Sequence, residues 1–202
     1  GLPRRRCLWH KGACGDRGRR VRTVREEFDV AVVGAGTAGA AAAAFLAESG
    51  RSTVLLDARP SAQAGARWVN AVPYWFYDEA GVDRPVSPED VSPGGALTML
   101  SVHQAGRFAI RPAPAPTVDM SRLVDRVHVR ARAAGVRFLA PVRDIRVEFD
   151  GERPIALSVV HAPDDAAPSA IRLAARLFVD ATGLQGFLRG QVPAMRRDCP
   201  MP

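Results

Sequence analysis

Between residues 29 and 57 the hydrophobic pattern changes period twice. Val30, Ala31, Val32 and Val33 form an unbroken apolar run. A glycine-punctuated turn follows, then an alanine-rich stretch over 40–47, then Thr53, Val54, Leu55 and Leu56 leading into Asp57. Short continuous apolar runs bounded by turn residues read as strands buried on both faces, so the order predicted is strand, glycine turn, helix, strand, acid. Gly34, Gly36 and Gly39 carry the spacing of a dinucleotide-binding turn. The first glycine allows the tight turn, the second lets backbone approach a pyrophosphate, and the third lets helix and strand pack closely. A pyrophosphate would then rest on the helix N-terminus, where unpaired N–H groups and the helix dipole favour an anion. Asp57, at the end of the second strand, is placed to accept hydrogen bonds from a ribose diol and to repel a 2′-phosphate.

Helix and strand do not go on alternating. Residues 60–117 are mixed, with the aromatic run Tyr74, Trp75, Phe76 and Tyr77, followed by Pro85, Pro88 and Pro93. Residues 96–103 and 107–111 read as two strands joined at Gln104-Ala105-Gly106, and the proline-rich 112–116 stops that hairpin. Asp119 or Ser121 can cap a helix that runs to Ala134 and ends at Gly135. Its core stripe is Leu123, Val127, Ala131 and Ala134. Arg122, Arg126 and Arg130 form a solvated face, and His128 is expected to be an unpaired surface or groove histidine. Residues 136–139 form a third short strand. Segments 142–149, 155–161 and 170–173 then alternate as an antiparallel three-stranded meander, and 177–180 reads as a buried parallel strand running into Ala181-Thr182-Gly183.

Charge is concentrated at one end. Residues 1–27 carry nine basic against three acidic side chains, whereas the remaining 175 carry nineteen against eighteen, so the formal charge of +7 belongs almost entirely to this segment. Lacking interleaved aromatics, it reads as a solvated, disordered arm rather than a nucleic-acid surface. Cys7, His10 and Cys14 lack the second knuckle a structural zinc needs, so no metal is expected. Three cysteines imply no disulfide framework, which makes a cytoplasmic setting the default. The longest apolar run, 40–47, falls far short of the ~20 residues of a membrane span.

The glycine fingerprint, acidic strand end, interrupting insert, capped helix, meander and final Val179-Asp180-Ala181-Thr182-Gly183 together resemble the FAD-dependent oxidoreductases of the superfamily that contains glutathione reductase, p-hydroxybenzoate hydroxylase and geranylgeranyl reductase. The resemblance covers residues 28–190 and looks like the first half of such an enzyme. It implies that Gly34, Gly36, Thr37 and Gly39 form the pyrophosphate turn and that Asp57 meets the adenosine ribose. Arg59 would lie beside the adenine or phosphates, the Val142 main chain would hold the adenine edge, and Asp180 and Gly183 would belong to a second segment passing close to FAD. Two features depart from the pattern. Met120 stands where relatives often carry Arg, and no Gly-Asp pair for the ribityl phosphate occurs in 191–202.

The fold expected is α/β, a Rossmann-like parallel sheet with an antiparallel β-meander and an inserted partial substrate region. Residues 1–27 are the extension, 28–70 and 118–190 the FAD-binding domain (its ADP half), 71–117 the insert and 191–202 a tail. The function expected is an FAD-dependent oxidoreductase of reductase or monooxygenase type, as a fragment, with a small-molecule substrate and NAD(P)H or another electron donor. The alternatives are an NAD-dependent dehydrogenase domain and a non-enzymatic nucleotide-binding half-domain. No side chain is assigned as acid, base or nucleophile. The aromatic run is expected to be core packing rather than a wall for flavin or substrate.

Overall fold

A computed structural model describes residues 23–92, 97–100, 106–111, 115–163 and 165–198. In chain order the elements are β1 (Val24–Val33), α1 (Thr37–Glu48), β2 (Thr53–Leu56), β3 (Val69–Ala71), α2 (Tyr74–Ala80), β4 (Leu97–Leu100), β5 (Arg107–Ile110), β6 (Thr117–Asp119), α3 (Met120–Ala133), β7 (Arg137–Leu139), β8 (Val142–Asp150), β9 (Arg153–His161), β10 (Ser169–Asp180) and α4 (Pro193–Asp198). Six strands form one sheet in the order β7-β2-β1-β10-β9-β8. β7, β2, β1 and β10 run parallel, while β10, β9 and β8 are antiparallel. This is the mixed α/β sheet of the FAD-binding Rossmann-like fold.

Period-two alternation divides the core. Val30, Val32 and Leu55 face α1 and α3, packing with Ala40, Ala43, Ala44, Leu123, Val127 and Ala131. Ala31, Val33, Val54 and Leu56 face the other way, onto Leu139, Val142, Leu157, Ile171 and Leu173. The alanines of α1 let that helix lie close to both the sheet and α3. The two edge strands, β7 and β8, are separated in sequence only by Ala140 and Pro141, so the sheet curls until its edges meet at that corner. There Val142 N–H donates to the Asp57 carbonyl at 2.8 Å, and Asp57 N–H donates to the Leu139 carbonyl at 3.3 Å.

Several expectations change. The third meander strand and the final parallel strand are one element, β10, which pairs β9 antiparallel over Ser169 to Ala174 and β1 in parallel from Ile171 to Asp180. Ala174-Ala175-Arg176 contains neither glycine nor proline, so nothing interrupts the strand. β1 likewise begins at Val24, four residues inside the supposed extension, because β10 is long enough to offer partners from Ile171 onward. Residues 24–27 are not buried, so their pairing left no hydrophobic pattern to read. The rest of that extension, residues 1–22 with Cys7, His10 and Cys14, lies outside the described residues, as do His103, Cys199 and the expected joint at Gln104-Ala105.

The aromatic run is helix α2, and only Tyr77 enters the core. Trp75 is 59% exposed and Trp68 64% exposed, so core packing is not their role. Seven residues make barely two helical turns, and one face of such a helix buries a single ring. The insert is closed at its base by β3 pairing with β6, Val69 opposite Asp119. Its β4–β5 hairpin carries exposed Met99, Leu100, Phe108 and Ile110.

Arg122 is exposed, as expected, but Arg126 and Arg130 of α3 are not part of a solvated face. Arg126 grips Glu89 through Nε and an Nη at 2.7 and 2.9 Å and also donates to the Asp83 carbonyl; Arg130 grips Glu48 of α1 at 2.7 Å through both nitrogens and reaches the Gly81 carbonyl. Helical spacing put these arginines on one face, while the carboxylates that meet them come from distant sequence. Asp119 caps α3, accepting from both the N–H and the hydroxyl of Ser121, and Gly135 follows the helix with φ +86°.

Candidate nucleotide-binding site

The chain makes its glycine turn where β1, β2 and β10 end side by side. Gly34 N–H donates to the Leu56 carbonyl at 2.7 Å, and Ala181 N–H donates to the Val33 carbonyl at 2.8 Å, so the three strand ends are stitched together. The three glycines then separate by role. Gly34 has φ +106°, and a Cβ there would lie 2.3 Å from the Ala181 carbonyl oxygen; a Cβ on Gly39 would lie 1.8 Å from the Gly34 carbonyl oxygen and 2.9 Å from Ala181 Cβ. Both are glycine because neighbouring backbone leaves no room. Gly36 has φ −72° and ψ −176°, ordinary extended backbone at the N-cap of α1, and its Cβ would meet only Gly65 Cα at 3.5 Å, an ordinary contact. Among the described residues nothing requires a glycine at 36.

Gly36 and Thr37 are half-buried and Ala38 is exposed. Among the described residues no acceptor takes their backbone N–H groups, whereas Ala40 N–H closes the first helical bond onto the Gly36 carbonyl. No side chain caps this end of α1, and its first turn holds no acidic residue. The end is therefore polar, open and positive in potential, which suits an anion.

Asp57 is 4% exposed and turned into the protein. Its Oδ2 accepts from Ala35 N–H and its Oδ1 from Arg59 N–H, both at 2.8 Å, with Arg59 Nε 3.6 Å from Oδ1. Each carboxylate oxygen has a second lone pair, so the group can hold the turn and still accept from a ribose hydroxyl. Arg59 also donates to the Gly65 carbonyl at 3.4 Å, binding the loop after β2 beside Gly36. Val142 begins β8 next to Asp57, with its N–H engaged by the Asp57 carbonyl. Asp180 accepts from the Thr182 N–H and hydroxyl and from Arg189 N–H, fixing the turn after β10. Gly183 is glycine for its φ of +70°, since a Cβ there meets nothing within 4 Å. Of the nine expected residues, Thr37 and Gly39 lie in the first turn of α1 and the other seven on strand ends and loops, and Ala181 packs against the glycine turn.

One partner was not foreseen. His128 is 2% exposed, on the face of α3 that packs on the turn, with its Nε2 2.7 Å from the Ala35 carbonyl oxygen. Burial holds its pKa below the ordinary histidine value, with the nearby Arg132 and Arg67 acting in the same direction and the Ala35 bond and Asp125 opposing. The ring is therefore neutral, and because a carbonyl only accepts, Nε2 carries the proton. Phe138 of β7 packs edge-on against the ring at 5.4 Å and is itself covered by the Arg132 guanidinium at 4.2 Å. A signal was available: His128 lies four residues after Val124 and three before Ala131, within the apolar stripe. Among the described residues no group of His, Cys, Asp and Glu could hold a metal, and no helix is long and apolar enough to cross a membrane.

A mixed sheet with a parallel core, a glycine turn opening its first helix and an acid ending its second strand is the arrangement that dinucleotide-binding α/β folds share. Residues 29–109 match the family model described as FAD dependent oxidoreductase. No curated protein matches it. Its structure is similar to that of a geranylgeranyl bacteriochlorophyll reductase-like protein from Thermoplasma acidophilum (TM-score 0.65, 16% identity, 79% of this chain and 40% of that one). It is also similar to the flavin-dependent brominase Bmp2 (0.59, 17%, 82% and 40%) and to a mutant of the halogenase PltM solved in complex with FAD (0.52, 19%, 85% and 36%). At these identities the likeness is one of fold. The chain spans about two fifths of the length of the proteins it matches.

Proposed function

We propose that this chain binds the ADP moiety of FAD and forms the nucleotide-binding half of an FAD-dependent oxidoreductase of reductase or monooxygenase type. The observation that carries this reading is Gly36: the fold leaves its glycine unexplained, and the N–H groups of Gly36, Thr37 and Ala38 stand open beside it. The group fits the residues present. The pyrophosphate would lie against Gly36, Thr37 and Ala38 at the N-terminus of α1, the ribose against Asp57, and the adenine near Val142 and Arg59. When bound, FAD supplies the hydride or oxygen chemistry. The chain's own residues bind and orient it, and Ala181, packed on Gly34 and Gly39, fixes the depth of the turn. The insert, with Trp75, Met99 and Phe108 exposed, belongs to the substrate region on this reading. A small organic substrate and an external electron donor complete the proposal.

An NAD-dependent dehydrogenase is disfavoured because β8–β10 form an antiparallel unit where such a domain continues its alternation of helix and strand. The test is equilibrium binding of ADP, FAD and NADH. Saturable binding of ADP and FAD with NADH weaker supports the proposal; NADH bound more tightly than FAD, or no nucleotide bound, overturns it.

A further inference from the structure

Ala35 is held through both of its flanking peptide groups by buried side chains from distant parts of the chain. Its N–H donates to Asp57 Oδ2 at 2.8 Å and its carbonyl accepts from His128 Nε2 at 2.7 Å. Ala35 is fully buried and directly precedes Gly36. The Ala35 carbonyl and the Gly36 N–H belong to one planar peptide group, so whatever fixes the carbonyl also fixes the direction of that N–H. The orientation of the open Gly36 N–H, and through it the start of the turn that carries Thr37 and Ala38, therefore depends on what holds the Ala35 carbonyl. Asp57 fixes only the preceding Gly34–Ala35 peptide, which would leave the Ala35–Gly36 peptide free to turn about the Ala35 φ and ψ, and the His128 bond on its carbonyl removes that freedom.

We infer that His128 is a positioning residue for the pyrophosphate turn, acting with Asp57 as a two-ended clamp on Ala35, one bond on each of its flanking peptides. This deepens the nucleotide-binding reading and rests on it. The histidine is itself braced. Phe138 packs against one side of its ring, and α3 is anchored to α1 through Arg130 and Glu48 and to the insert through Arg126 and Glu89. Two consequences separate a clamp from a mere core residue. Loss of the donor must loosen the turn locally, and it must weaken ligands that carry a pyrophosphate while sparing those that do not.

The test compares wild type with His128→Leu, which keeps apolar bulk without a donor, and His128→Gln, which restores an N–H donor. Amide hydrogen exchange in the ligand-free protein is read first. His128→Leu is expected to speed exchange at Ala35 about tenfold while the middle of β1 and of α1 stay protected, and His128→Gln to recover most of that protection. Titration with ADP and with adenosine follows. His128→Leu is expected to weaken ADP about tenfold, the effect of one lost buried hydrogen bond, with adenosine unchanged and with recovery in His128→Gln. Unaltered exchange at Ala35 in a folded His128→Leu overturns the clamp whether or not nucleotides bind. So does an equal loss of ADP and adenosine affinity. If His128→Leu fails to fold, His128→Gln decides: wild-type exchange and ADP preference support the clamp, and fast exchange at Ala35 refutes it. Wild type that ignores ADP refutes the nucleotide reading instead, with the exchange result still deciding the clamp.

Discussion

Substituting alanine at each glycine of the turn should give two opposite phenotypes. At Gly34 the φ of +106° is closed to an L-residue, which costs about 1–3 kcal/mol, and a Cβ 2.3 Å from the Ala181 carbonyl oxygen forces backbone to move, at about 1–3 kcal/mol more. Gly34→Ala should therefore lose about 2–6 kcal/mol, a large share of the ~5–15 kcal/mol that holds a domain folded. At Gly36 the backbone is ordinary and the Cβ fits at 3.5 Å from Gly65 Cα. Alanine is a poorer N-cap than glycine by about 1 kcal/mol, and the stiffer unfolded chain returns ~0.4–1 kcal/mol, so the stability of Gly36→Ala should stay within about 1 kcal/mol of wild type. ADP binding should respond differently. A methyl group in the space the pyrophosphate needs would break one or two charge-assisted hydrogen bonds worth ~1.5–3 kcal/mol each, a loss on the order of 100-fold in affinity. Urea denaturation and calorimetric titration with ADP read the two quantities on the same samples. Wild-type ADP affinity in Gly36→Ala would refute the assignment of this glycine to the ligand. Equal stability of the Gly34 and Gly36 variants would refute the division of roles.

Asp57→Ala leaves Ala35 N–H and Arg59 N–H without their acceptor, so stability should fall by about 1–3 kcal/mol together with ADP affinity. In wild type, competition should show ADP preferred over its 2′-phosphate by about tenfold, because a phosphate near the Asp57 carboxylate meets like charge; the reverse order would mean Asp57 serves the turn alone. His128 has a folded-state pKa below the ordinary value of about 6.5. Its contribution to stability should be complete above that pH and be lost as pH falls from there through the depressed value; denaturation across that window should show the slope in wild type and its absence in His128→Leu. Deleting residues 1–27 removes the four ladder pairs from Val24–Ile171 to Glu27–Ala174. It should cost about 2 kcal/mol more than deleting residues 1–22, at roughly 0.5–1.5 kcal/mol per hydrogen bond, and thermal melts of the two truncations check it.

The parts legible in the sequence are those whose cause is local. The glycine spacing, the runs at 30–33 and 53–56, the Asp119 cap and the close of α3 at Gly135 each follow from residues within a few positions, and each lies where expected. What escaped is what distant chain decides. Arg126 and Arg130 read as solvated because Glu89 and Glu48 are 37 and 82 residues away. His128 read as unpaired because its partner is a backbone carbonyl 93 residues earlier, invisible to any side-chain pattern. The unity of β10 was hidden by Arg176, a polar position that reads as a break until β1 is seen lying beside it. Gly34, Gly36 and Gly39 were grouped as one motif, and only the built backbone separates the two that serve packing from the one open to a ligand.

Residue-resolved amide shifts during an ADP titration bear most directly on the nucleotide site. Saturable shifts at Gly36, Thr37 and Ala38, with smaller ones at Asp57 and Val142 and with adenosine leaving the first three unmoved, are the expected result. Shifts absent from the turn, or gathered instead around Arg51, Arg153 and Arg176, which line a cavity of about 360 Å³ with Asp29, would contradict it.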